Sequence, residues 1–109
     1  MTDRELLELA AKAAGLNIKS YAVDSDGKLT HLIVGRKFTK ERVAWNPRTD
    51  DGDSRRLQMQ LKISLECTTH YAAASYQGFV VQKMYGGDPA ATARSAVLQV
   101  AAEIGRNKQ

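Results

Sequence analysis

A single cysteine, Cys67, occurs among the 109 residues, so no disulfide can close within the chain and a disulfide-stapled secreted scaffold is excluded. No stretch approaches the roughly 18 consecutive apolar residues of a membrane helix. The opening MTDRELLELA mixes acid and base where a signal peptide carries a basic stretch and an apolar run, so none is expected. These absences predict a reducing cytoplasm as the compartment. Proline is scarce too. Pro47 and Pro89 are the two that occur, and each reads as a boundary between elements.

What is present is ordinary globular material. Hydrophobic residues make up 43% and charged residues 26%, the balance of a packed domain. A chain of this length buries roughly two-thirds of its unfolded surface, enough for one core without metal or disulfide. Sixteen Lys+Arg against twelve Asp+Glu give a formal charge of +4. So mild an excess keeps a protein in solution and is thin support for nucleic-acid binding.

The pattern along the chain predicts a single α+β domain. Thr2 and Glu5 have capping-box spacing, Leu6, Leu7, Leu9, Ala10, Ala13 and Ala14 form an apolar stripe, and Gly15 is a left-handed stop. A helix over 3–14 follows. IKSYAVD (18–24) and KLTHLIV (28–34) flank Asp26-Gly27, which suits a type I′ turn. In that register Tyr21, Val23, Thr30, Leu32 and Val34 share the core face, with Ile18 opposite. RVAW (42–45) reads as a third strand ended at Asn46-Pro47.

Asp50, Asp51 and Asp53 suit the start of a second helix over 49–62, with Leu57 and Leu61 inward. Ile63 to Tyr71 reads as extended, AAASYQG (72–78) as a connector and GFVVQKMY (78–85) as a strand. Asp88 then caps a last helix with Pro89 at its first position, a periodic stripe from Ala93 to Ile104, and Gly105 as its end. The predicted order is α-β-β-β-α-β-β-α, an antiparallel or mixed sheet packed against helices. Leu6, Leu32, Leu57 and Val97 are expected to meet in one interior.

The residues WNPRTDDGDSRRLQMQLKI (45–63) resemble a segment of small uncharacterised bacteriophage and prophage proteins, written W-N-P-L-x-D-D-G-D-A-x-R-L-x-x-K-L. AAKAAGL (10–16) and ATARSAVLQVAAEIGR (91–106) are similar to the two ends of the same proteins, so the resemblance is nearly full-length. It departs at Arg48 and Ser54, where the pattern has Leu and Ala, and no pattern is shared over 64–88. The family carries no activity to transfer. What the resemblance implies is origin: a phage genome acting inside a bacterial host, with an accessory role against host machinery.

Few residues here suggest chemistry. The acidic run Asp50, Asp51, Asp53 could face a cation, yet one acidic turn offers few fixed oxygens, and capping accounts for it. Cys67 and His70, with His31 distant in sequence, fall short of four zinc ligands, and strand alternation puts residues 67 and 70 on opposite faces. A buried structural cysteine is the expectation. Gly86-Gly87 precedes a helix, but Asp88 there would repel a phosphate, and neither dinucleotide nor P-loop spacing is present. No metal, no cofactor and no enzymatic activity are expected.

Two surfaces stand out as sites for partners. The first is the basic loop, where Arg36, Lys37, Lys40 and Arg42 surround Phe38. Such a loop can grip phosphates and stack a base, or dock an acidic protein, or simply be solvated. The α-β-β-β-α order over 3–62 is also similar to that of double-stranded-RNA-binding domains, though aspartates begin the second helix where phosphate contacts would be wanted. The second surface is the aromatic region 71–85, with Tyr76 as the exposed anchor and Phe79 in the core. Strand 78–85, if at a sheet edge, could pair with a partner or with a second copy, so a homodimer is among the expected assemblies. The leading expectation is a non-enzymatic phage accessory protein that binds a host or phage protein. The alternative is a small nucleic-acid-binding domain using loop 36–42 together with Arg55 and Arg56.

Overall fold

The structure, a computed structural model, describes residues 2–35 and 40–108. Among them the order is α1 (Asp3–Ala13), β1 (Asn17–Val23), β2 (Leu29–Gly35), β3 (Val43–Trp45), α2 (Asp51–Leu61), β4 (Ser64–Cys67), β5 (Tyr71–Tyr76), β6 (Phe79–Met84) and α3 (Pro89–Asn107). The strands form two antiparallel sheets, β1-β2-β3 and β4-β5-β6. The α+β class stands. The segment read as a connector is instead β5, the central strand of the second sheet, which adds a strand to the expected order.

Helix starts follow the side-chain caps. Thr2 Oγ1 accepts from the Glu5 N–H, Asp50 Oδ1 from the Asp53 N–H, and Asp88 Oδ1 from the Ala90 N–H beside Pro89. α1 ends in a left-handed Gly15: its N–H donates to the Lys12 carbonyl while Leu16 N–H donates to that of Ala11. α2 ends in the same motif with Lys62 in the left-handed place, at φ 58°, its N–H donating to Met59 and that of Ile63 to Gln58. Gly105 does not end α3. It lies buried inside the helix, where an added Cβ would collide with the Leu9 main chain.

That close approach defines the α1–α3 seam. The two helices run side by side in the same direction, with Leu9 against Gly105 and the Lys108 ammonium donating to the Lys12 carbonyl. Ala10, Ala11 and Ala101 are fully buried and let the backbones come near. Leu7, Leu32, Leu57 and Val97 belong to one buried cluster that also takes in Val34, Trp45, Ile63 and Ala74, with Leu6 packed on its rim. α1 therefore packs mainly on α3, so the similarity to double-stranded-RNA-binding domains stops at element order.

The first hairpin differs from its predicted register. Asp26 does not take positive φ; Gly27 alone does (80°), its N–H donating to the Asp24 carbonyl, while Asp24 Oδ1 accepts from the N–H groups of Asp26 and Lys28. An aspartate-centred turn has replaced type I′. Pairing then slips at Lys19, which sets Ile18 beside Val34, and again at Thr30, which sets Val23 opposite Leu29. Tyr21 and Val23 are consequently exposed beyond the core. The Arg4 guanidinium stacks 4.4 Å over the Tyr21 ring.

Candidate functional site

Arg36, Lys37 and Phe38 lie outside the described residues. Lys40 and Arg42, which follow them, are exposed, with no ion-pair partner among the described residues. The base of this loop is pinched, because Gly35 is buried directly against the Glu41 carbonyl and leaves no room for a Cβ. Of the other cations considered, Arg56 is paired to Asp53 at 2.7 Å and Arg55 donates to Gln58 Oε1 at 3.3 Å. Lys40 and Arg42 are thus the described cations of the loop that remain available to an anionic partner.

The W-N-P-R-T-D-D-G-D segment forms a joint. Asp53 Oδ2 accepts from the Asn46 main-chain N–H at 2.9 Å, and the Asn46 amide donates to the Thr30 carbonyl at 2.8 Å. Arg48 reaches both the Thr30 carbonyl and Asp3, at 3.1 and 2.6 Å. Arg94 of α3 donates from Nε to the Arg48 carbonyl and from Nη1 to Asp51. Pro47 and Trp45 are buried beneath. Each carboxylate here is engaged by a main-chain N–H or an arginine, so the acidic run caps α2 and ties α1, β2, α2 and α3 together. Arg48 Nε alone is buried without a partner among the described residues.

The second sheet is covered on one face only. Strand registers place Leu65, Ala74 and Val81 in one row and Cys67, Ala72 and Lys83 in the next, on the face toward α3. Ala72 and Ala74 are fully buried there. On the opposite face stand Ser64, Ser75 and Val80, then Glu66, Ala73 and Gln82, then Tyr71 and Met84. Val80 is 57% and Met84 66% exposed. β6 forms one edge of this sheet, and no described strand pairs with its outer side.

Tyr76 and Phe79 exchange their expected places. They pair directly across a two-residue turn, Gln77-Gly78, both at positive φ (46° and 88°), which is type I′ geometry. Tyr76 is half-buried against the core cluster, whereas Phe79 is 41% exposed beside a cleft it shares with Leu6, Val81 and Glu103. Tyr76 sits on the central strand, which buries it. Phe79 begins an edge strand, which does not.

Cys67 is exposed, contrary to expectation, because β4 is an outer strand of its sheet, whereas its neighbour Ala72 on the central strand is fully buried. The neighbouring Tyr85 phenol is held above its ordinary pKa, first by desolvation and then by the Cys67 thiol. His31 Nδ1 lies 3.0 Å from Thr30 Oγ1, and His70 is exposed at the turn before β5. No group of three or more His, Cys, Asp or Glu among the described residues is arranged to hold a metal ion. A cleft of about 330 Å³ between α2 and the first sheet is lined by Glu41, Trp45, Asp53 and Arg56, but both Asp53 oxygens are already bonded. No described helix is long and apolar enough to cross a membrane.

Compared with protein-family models, curated proteins and solved structures, the chain matches none of them.

Proposed function

We propose that this chain is a non-enzymatic protein-interaction module that presents the β4–β5–β6 sheet to an extended segment of another polypeptide. The observation carrying this reading is the bare outer face of that sheet joined to a regular open edge at β6. An extended segment added to such an edge gains main-chain hydrogen bonds, and Val80, Met84 and Tyr71 supply apolar contact beside it. The engaged carboxylates of the joint, and the placement of His31, Cys67 and His70 on separate elements, support a binding role over a catalytic one. The motif resemblance supports a phage or prophage setting, with the host bacterial cytoplasm as the place of action and a host or phage protein as the partner.

A second reading, a nucleic-acid-binding domain, is favoured by one observation: Lys40 and Arg42 are exposed cations without ion-pair partners among the described residues. Capture from host lysate separates the two, using the native chain, Gln82→Pro, and Lys40→Glu/Arg42→Glu. The Gln82 N–H points away from β5, so proline there closes the edge without breaking the β5–β6 ladder. A protein partner lost with Gln82→Pro and kept by the charge-reversed chain supports the interaction module. Nuclease-sensitive binding lost only on charge reversal, and falling steeply with salt, replaces it with the second reading.

A further inference from the structure

We propose that the polypeptide taken up by the β6 edge is a second copy of this chain, joined antiparallel about a two-fold axis through Gln82, so that two three-stranded sheets become one of six strands. The inference rests on the interaction reading above and names its partner.

The four sheet edges differ in how they resist pairing. β1 carries a bulge at Lys19 in a ladder that slips again at Thr30 of β2, β3 has three residues and β4 four. Bulges and shortness are the usual ways in which edges are blunted. β6 has neither device. Its six residues pair without a slip from Tyr76–Phe79 to Tyr71–Met84, and it contains no proline.

The geometry of the hairpin fixes which main-chain groups are open. A two-residue turn is closed by a hydrogen-bonded pair, here Tyr76 and Phe79, and the Tyr85 N–H donates to the His70 carbonyl in the same alternation. Phe79, Val81 and Lys83 therefore bond to β5, while Val80, Gln82 and Met84 turn their N–H and C=O groups to the free edge. A two-fold through Gln82 sets Gln82 against its own copy and Val80 against Met84 of the second copy. All three pairings are of the hydrogen-bonded kind, giving about six main-chain bonds.

Side chains fit this register. On the outer face the exposed Val80 meets the exposed Met84 of the other copy, which already lies beside Tyr71, so two apolar clusters flank the axis. On the inner face Lys83 falls opposite Val81 of the other copy. Lys83 is the one charge on the strand, and an inward charge is itself a device against pairing. Here it arrives at the rim of the cleft that Val81 shares with Glu103, an acid that Arg106 already pairs at 3.3 Å, so Lys83 adds a second cation to an existing ion pair. The arrangement is isologous and closes on itself.

The test is analytical ultracentrifugation of the full chain from about 1 μM to about 1 mM, a span that brackets the affinity of a small interface. The native chain and Gln82→Ala should approach twice the monomer mass, while Gln82→Pro stays monomeric with an unchanged far-UV spectrum. Val80→Lys/Met84→Lys should abolish the dimer, since like charges then face each other. Val80→Lys/Met84→Glu should restore it, because the introduced lysine and glutamate lie opposite across the axis. A native chain monomeric throughout, a dimer indifferent to Gln82→Pro, or a charge pair that fails to restore association overturns the proposal. A monomeric chain that nonetheless loses a captured polypeptide on Gln82→Pro removes self-pairing and leaves the interaction module standing.

Discussion

Gly105 and Lys62 are two residues whose backbone surroundings set opposite expectations for substitution. In an open helix, Gly→Ala stabilises by about 1 kcal/mol. At Gly105 the added methyl meets the Leu9 main chain, which cannot swing aside as a side chain could. Overpacking of this kind costs about 1–3 kcal/mol, so Gly105→Ala is expected to lower stability, with a fall of several degrees in the thermal midpoint. A rise would mean that α1 and α3 are not in contact at this point. Lys62 presents the reverse case, a side chain held at φ 58° with its motif otherwise complete. Lys62→Gly should gain about 1 kcal/mol in urea unfolding by relieving the left-handed backbone. Glycine after a periodic stripe reads as a stop at Gly15 and again at Gly105. Only at the first does the chain stop, because at the second the tertiary contact wants a missing side chain.

Elements are joined at the W-N-P-R-T-D-D-G-D segment through Arg94, whose Nε and Nη1 hold the Arg48 carbonyl and Asp51. Arg94→Ala leaves that carbonyl without its donor, and a loss of about 1–3 kcal/mol is expected from urea titration. Arg94→Lys should recover only part of it, since one ammonium cannot reproduce a fork that spans two acceptors. Full recovery would show that charge alone, not the forked geometry, secures the joint. The three helices were legible because each announces itself with a side-chain cap and a periodic stripe. β5 was not. Its Ala-Ala-Ala-Ser core lacks the branched and aromatic residues that mark a strand, and it is one because it pairs with β4 on one side and β6 on the other, with Ala72 and Ala74 buried toward α3. With β5 unseen, the edge position of β6 was invisible too, although the strand itself was read correctly. Tyr76 and Phe79 were exchanged for the same reason, since burial depends on which strand is central.

The whole molecule has a radius of gyration of 13.7 Å, close to the roughly 13 Å of a compact domain near this length. One cluster of buried residues draws on all three helices and both sheets. Unfolding should therefore be a single transition. Trp45, the only tryptophan, reports on β3, while the far-UV signal reports chiefly on the helices. Both probes are expected to trace the same urea curve, and separated midpoints would mean two independently melting halves. The seam between the first and last helices has a consequence for synthesis. Leu7, Ala10 and Ala11 leave the ribosome early, yet the surface that shelters them is complete only once Gly105 has been made. At about 5–20 residues per second that interval is roughly 5–20 s. Throughout it α1 stands as an amphipathic segment without its α3 mate, so a chaperone is most needed before α3 has been made.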